Sequence, residues 1–180
     1  MIKRLNLRFA AVMMVYVGVI FLVDRDKVLG PILAPLTVVT ARATLALLHW
    51  SGIEAVREMN VISHPLGFAY QIYYSCTGFT PALSLSISIL AYPGLLRDKW
   101  RGIAVGVPIL LGLNLVRLVH LFYVGVYSPA IFEYVHHTLW ENFLILMIIV
   151  LWLGWVSWSE ARTRVTSSIY ASSADLMRTN

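Results

Sequence analysis

The sequence predicts an all-α integral membrane bundle of about four transmembrane helices, with an outward-side amphipathic or partly inserted helix and a short β-hairpin. Three observations carry this fold class. Apolar residues make up 59% of the 180 residues and the mean hydropathy is +0.75, more than one soluble core of this size can bury. Four apolar stretches approach the roughly 20 residues that a helix needs to cross the hydrocarbon. Basic residues gather at particular ends of those stretches. A single membrane-embedded domain over 1–165 and a flexible polar tail over 166–180, rich in Ser and Thr, are expected.

The first stretch runs from Leu7 to Val23, preceded by Lys3, Arg4 and Arg8 and followed by Asp24-Arg25-Asp26-Lys27. No Ala-x-Ala cleavage site follows it, so a retained helix is expected rather than a signal peptide. The second runs from Phe79 to Leu96 and ends at Arg97-Asp98-Lys99-Trp100-Arg101. The third extends from Gly102 to Tyr123, and the fourth from Thr138 to Trp158.

Positive-inside counting orients them. The amino terminus, the 97–101 segment and the carboxyl tail hold nine of the fourteen Lys/Arg but three of the nine acids. They are therefore expected in the cytoplasm, with residues 24–78 and 124–137 facing outward. Pro31 to Trp50 strains the parity, because it is long enough to cross and holds one formal charge, Arg42. Thr37, Thr40, Arg42 and Thr44 make it the most amphipathic of the apolar segments, which favours a helix lying on or dipping into the outer side. Beyond it, Val61-Ile62 and Phe68 to Tyr74 are β-branched and aromatic runs separated by His64-Pro65-Leu66-Gly67, the pattern of two short paired strands. Such a pair could form an interfacial tyrosine belt or a lip for an extended peptide.

This threading brings the reactive side chains to one depth. Cys76 is the lone cysteine, so an intrachain disulfide and multi-cysteine metal or iron–sulfur sites are excluded. It lies in Tyr73-Tyr74-Ser75-Cys76-Thr77-Gly78, at the mouth of an apolar run rather than inside one. Arg117 sits six residues before Tyr123, roughly 9 Å below the expected end of the third span. An arginine at that depth usually faces a bundle interior or cavity, and Asn114 and His120 share its broad face. His136 and His137 open the fourth span, four residues before Trp140 and Glu141 respectively. Glu141 can pair with His137 or with Arg117. The adjacent histidines do not make a metal site by spacing alone, so neither metal nor cofactor is expected. A thiol, a guanidinium and an imidazole together supply nucleophile, oxyanion donor and proton donor for attack on an amide.

At these residues the chain resembles the exosortase/archaeosortase family, most closely its short type H exosortases. The resemblance spans roughly Pro31 to Trp158 through Ser75-Cys76-Thr77-Gly78, Asn114-Leu115-Val116-Arg117-Leu118 and His136-His137-Thr138-Leu139-Trp140-Glu141. It implies a membrane cysteine transpeptidase or protease of the bacterial inner membrane, multi-pass, with its site on the periplasmic side. Its substrates would be exported proteins whose C-terminal sorting signal joins a short motif, a transmembrane helix and a basic cluster. Cys76 matches the family's nucleophile, Arg117 its arginine and His136 its third catalytic residue, with His137 and His120 as alternatives for the last. Thr77 stands where serine often follows the nucleophile, and the extra amino-terminal spans and carboxyl-terminal extension of larger exosortases are not expected.

Membrane lipid is the other expected partner. Nucleic acid is not, since the basic residues flank apolar spans and no basic, aromatic groove follows a phosphate backbone. Two other classes fit the composition: a non-enzymatic membrane scaffold or assembly factor, indifferent to the thiol, and a small transporter using Asn114 and Arg117 as an anion path. No internal repeat of the kind common in secondary transporters is visible.

Overall fold

The structure, a computed structural model, describes residues 10–12, 14–16, 18 and 25–178, with side chains described at the first seven of these and over 31–164. The first expected span, Leu7 to Val23, therefore lies largely outside the described residues. Those described within it are helical, and Tyr16 places its hydroxyl 2.6 Å from Ser84 Oγ.

Helix α1 spans Arg25–Trp50. Its Pro31–Trp50 portion is long and apolar enough to cross a membrane, so the outward-side placement is not the only one its composition allows. The three threonines that made it look amphipathic are buried, and two of their hydroxyls are satisfied within the helix: Thr37 donates to Ala34 O at 2.7 Å and Thr44 to Thr40 O at 2.9 Å. Such internal bonding removes most of the cost of a hydroxyl in an apolar medium. Exposed Arg42 lies eight residues before Trp50, about 12 Å along the axis, within reach of snorkelling.

Three short antiparallel strands follow in the order β1(Val56–Glu58), β2(Val61–Ser63), β3(Ala69–Gln71). The expected pair is present with Ile62 opposite Tyr70, and a third strand extends it because Met59, at φ 53°, turns β1 back onto β2. The His-Pro-Leu-Gly signal closes the other turn through His64 N–H to Phe68 O at 2.7 Å, with Gly67 at φ 95°. Ile62 and Ile72, both fully buried, seat this sheet on Ala41, Leu48, Leu118 and Phe122.

Helix α2 spans Phe79–Ala91, and at 13 residues it is shorter than the expected Phe79–Leu96 span. Pro93 disfavours helical geometry at Tyr92, which is extended at ψ 142°, and the helix stops there. Its length is about 20 Å, against a hydrocarbon thickness of about 30 Å. Helix α3, Leu96–Tyr127, starts earlier than expected: the 97–101 segment is its first turn rather than a loop. It also ends a turn later, so Arg117 lies ten residues, about 15 Å, from its carboxyl end.

The chain then passes a 3-10 turn at Pro129–Ile131 and a π-helical segment at Tyr134–Trp140 before helix α4, Glu141–Arg178. Tyr134–Arg164 and Leu96–Tyr127 are both long and apolar enough to cross. The backbone is helical through 166–178, the stretch expected as a polar tail.

The two ends of the bundle are held differently. At one end Tyr123 donates to Ser51 Oγ at 2.9 Å, so the carboxyl ends of α1 and α3 meet beneath the sheet. At the other, Asp98 is 1% exposed and lies 3.3 Å from Arg162 and 3.5 Å from Arg101, while Trp155 Nε1–H donates to the Asp98 carbonyl at 2.9 Å. That clamp ties α3 to α4.

Candidate active site

Cys76 ends a 3-10 turn, Tyr74–Cys76, that is closed by Cys76 N–H to Tyr73 O at 2.9 Å and Thr77 N–H to Tyr74 O at 3.1 Å. The Thr77 hydroxyl donates to Tyr74 O at 2.6 Å, so the hydroxyl beside the thiol locks the turn. Gly78 then caps α2 in the left-handed region, φ 79° and ψ 2°. A Cβ there would stand 3.1 Å from the Asn114 side chain and 3.2 Å from Leu111, so glycine serves both the φ and the close approach of α2 to α3. Across that contact, Asn114 Nδ2–H donates to the Cys76 carbonyl at 2.7 Å. The backbone of Cys76 is thereby fixed from α3 while its side chain stays half-buried.

Arg117 lies on the same helix as Asn114 and is 5% exposed. Its Nε has no hydrogen-bond partner, and among the described residues no carboxylate forms an ion pair with it. A buried, uncompensated guanidinium costs several kcal/mol, on the order of the penalty for one desolvated ion. Glu141, which the sequence left free to pair with either group, is committed to His137 at 3.2 Å.

Cys76, Arg117 and His136 line one cavity of about 450 Å³ between α2 and the π segment that leads into α4. His137 and Glu141 line it too, with Thr80, Pro81 and Ser84 along α2 and Leu144, Ile145 and Ile148 along α4. It is polar near Cys76 and apolar farther down, over the eleven residues from His137 to Ile148, about 16 Å. A second cavity of about 490 Å³ opens in the other half of the bundle, but its lining is apolar apart from Arg101 and holds no nucleophile.

The histidines separate by their partners. Trp140, four residues after His136, donates its Nε1–H to His120 Nδ1 at 2.9 Å. His120 is thus held away from the cavity that His136 lines. His136 stacks on Phe132, centroids 5.7 Å apart and planes at 26°, and Phe132 packs edge-on against Phe68 of the sheet turn at 5.7 Å.

Tyr70 belongs beside this site and was not singled out in the sequence. From β3 its hydroxyl donates to Leu118 O at 3.2 Å, one residue from Arg117. Burial pushes its pKa well above the ordinary tyrosine value; the negative charge of an ionised Cys76 pushes the same way, and Arg117 opposes it. It therefore stays a neutral phenol. The only sequence signal for it was the alternation Phe68, Tyr70, Ile72, which placed it on a strand without saying which face met the thiol.

A family model described as transmembrane exosortase matches residues 3–154, and the chain belongs to that family, which makes it a membrane protein with a transpeptidase or protease role. Neither the curated proteins nor the solved structures compared with it include a match, so the fold rests on its own geometry.

Proposed function

We propose that this exosortase is a cysteine transpeptidase or protease that processes the C-terminal sorting signals of exported proteins at the bacterial inner membrane. Its site opens to the periplasmic side. The observation that carries the reading is Arg117, a buried cation without a carboxylate partner among the described residues, in one cavity with the lone thiol and His136. A bundle has no structural use for an uncompensated charge there. A site that forms an anion during each turnover does.

In this reading Cys76 gives its thiol proton to His136 as Sγ attacks the scissile carbonyl carbon, and the carbonyl oxygen becomes an oxyanion that Arg117 stabilises in a low-dielectric setting. As the C–N bond breaks, His136 gives a proton to the departing amine and a thioester remains on Cys76. His136 then takes a proton from the acceptor, which attacks the thioester; as the C–S bond breaks, that proton passes to Sγ and restores the thiol. Water as acceptor gives proteolysis; an amine or lipid-linked nucleophile gives transfer. Asn114 positions Cys76 through its carbonyl, and Glu141 holds His137 beside His136.

The substrate's transmembrane helix would lie along the lower, apolar part of the groove between α2 and α4, which supports delivery of the motif to the thiol. The sheet would act as the lip. The periplasmic orientation follows from the charge partition, with the Asp98 end in the cytoplasm.

The test is processing of a reporter protein ending in motif, helix and basic cluster, drawn from the same genome. Cys76→Ala and Cys76→Ser should leave it uncut at normal enzyme abundance, and hydroxylamine should capture a thioester from the native enzyme only. Full processing by Cys76→Ala would overturn cysteine catalysis.

A further inference from the structure

Glu133, His136 and His137 stand at i, i+3 and i+4, so they share one face of the helical turn. Their ligand atoms lie within 4.8 Å of one another, beside the cavity that the two histidines line. His137 sits between two carboxylates, with Nδ1 3.2 Å from Glu141 Oε1 and Nε2 3.3 Å from Glu133 Oε2. A neutral imidazole carries one N–H. If Nδ1–H is donated to Glu141, the lone pair of Nε2 faces the lone pairs of the Glu133 carboxylate. Two acceptors at that separation repel unless a proton or a metal cation lies between them.

We propose that Glu133, His136 and His137 form a binding site for a divalent transition-metal cation of the zinc class. Two imidazoles and one carboxylate suit Zn²⁺ and leave a fourth position open. They do not suit Mg²⁺, which prefers an all-oxygen shell. Glu141 supplies the outer carboxylate that fixes the tautomer of a metal-bound histidine, the arrangement that raises ligand basicity. Tetrahedral ligands about 2.0–2.1 Å from zinc lie about 3.4 Å apart. The largest gap, 4.8 Å, must therefore close by less than half its length. Glu133, 79% exposed, has the freedom to close it.

Occupancy has a consequence that rests on the function proposed above. A metal bound through His136 removes the proton carrier from the cavity, so periplasmic zinc becomes a reversible inhibitor. Glu133 takes no part in that chemistry, which separates the metal site from the catalytic one.

The experiment uses the full chain in detergent, with any histidine tag removed. ZnCl₂ is titrated calorimetrically into the Cys76→Ala protein, which eliminates the thiol as a ligand. One zinc per chain is expected, with no heat from MgCl₂. Glu133→Gln and Glu141→Gln should each weaken binding by about 10- to 100-fold. Unchanged affinity in Glu133→Gln, or no binding by the Cys76→Ala protein, would overturn the site. Separately, zinc should inhibit reporter processing by the native enzyme and be reversed by chelator. Glu133→Gln should process normally in metal-free buffer but need at least tenfold more zinc for inhibition. Zinc binding without inhibition would leave the site standing and overturn its link to His136. An enzyme that processes nothing, yet binds zinc through Glu133, would overturn the proposed function alone.

Discussion

Arg117→Met should make the protein more stable and nearly inactive, and the two effects together separate a catalytic arginine from a structural one. Arg117 is 5% exposed, with Nε unpartnered and no carboxylate ion pair among the described residues. Placing an arginine at the centre of a membrane helix costs about 2.5–3.5 kcal/mol on insertion scales. Little in its surroundings offsets that penalty, so a methionine of similar length should recover on the order of 2 kcal/mol. For a chain of this size about 1 kcal/mol corresponds to 2–4 °C, giving a rise in Tm of about 4–8 °C. Measuring it in the Cys76→Ala background leaves no thiolate to pair with the guanidinium. Processing by Arg117→Met with Cys76 intact should fall about 10²–10³-fold, the loss expected for one oxyanion donor. Arg117→Lys should lose a large part of that as well, because an ammonium keeps the charge but not the planar fork. Thermal unfolding in detergent and reporter cleavage per unit of enzyme are the two assays. A Tm that drops by several degrees with cleavage unchanged would refute the argument and make Arg117 a packing residue.

His136→Ala should abolish cleavage, His137→Ala reduce it in part, and His120→Ala leave it nearly intact, since His120 is held by Trp140 outside the cavity; reporter cleavage normalised to membrane abundance reads all three. Gly78→Ala should lower both stability and cleavage, because its Cβ would meet Asn114 at 3.1 Å with φ at 79°; the strain is about 1–2 kcal/mol, and an unchanged Tm would count against that contact. Asp98→Ala should cost about 3–5 kcal/mol by leaving Arg101 and Arg162 without their buried partner, a figure reduced by their own partial exposure; cleavage per folded molecule should be normal. In intact cells Cys76 and a cysteine placed at Trp50 should react with a small thiol reagent from the outer side, whereas cysteines at Lys99 or Arg162 should react only after the membrane is opened.

The long apolar runs and the membrane class were legible because span length and charge asymmetry are one-dimensional properties. The depth argument placed Cys76 and Arg117 in one region for the same reason, and both line one cavity. Boundaries were less legible where one residue decides them: Pro93 ended α2 early, and the basic 97–101 segment joined α3. Not legible were the π-helical geometry of Tyr134–Trp140 and the partner of Trp140, which is His120 on the neighbouring helix. Nothing local in Tyr134–Trp140 announces that geometry. It is accompanied by contacts made across the bundle: Trp140 to His120, and Phe132 to Phe68.

Those contacts also explain why a π turn is tolerated there. A π-helical turn packs its backbone less well than an α-helical one, and such turns are found most often at functional sites. Trp140, 8% exposed and anchored by its Nε1–H, secures one end, and Phe132 stacked on His136 secures the other. Between these anchors the wider turn brings the His136 and His137 ring centroids to 4.3 Å and sets both rings on the cavity wall. The segment thus sets on one cavity wall, with Cys76 lining the same space, His136 and a neighbour that Glu141 holds; under the proposed function the first of these carries protons.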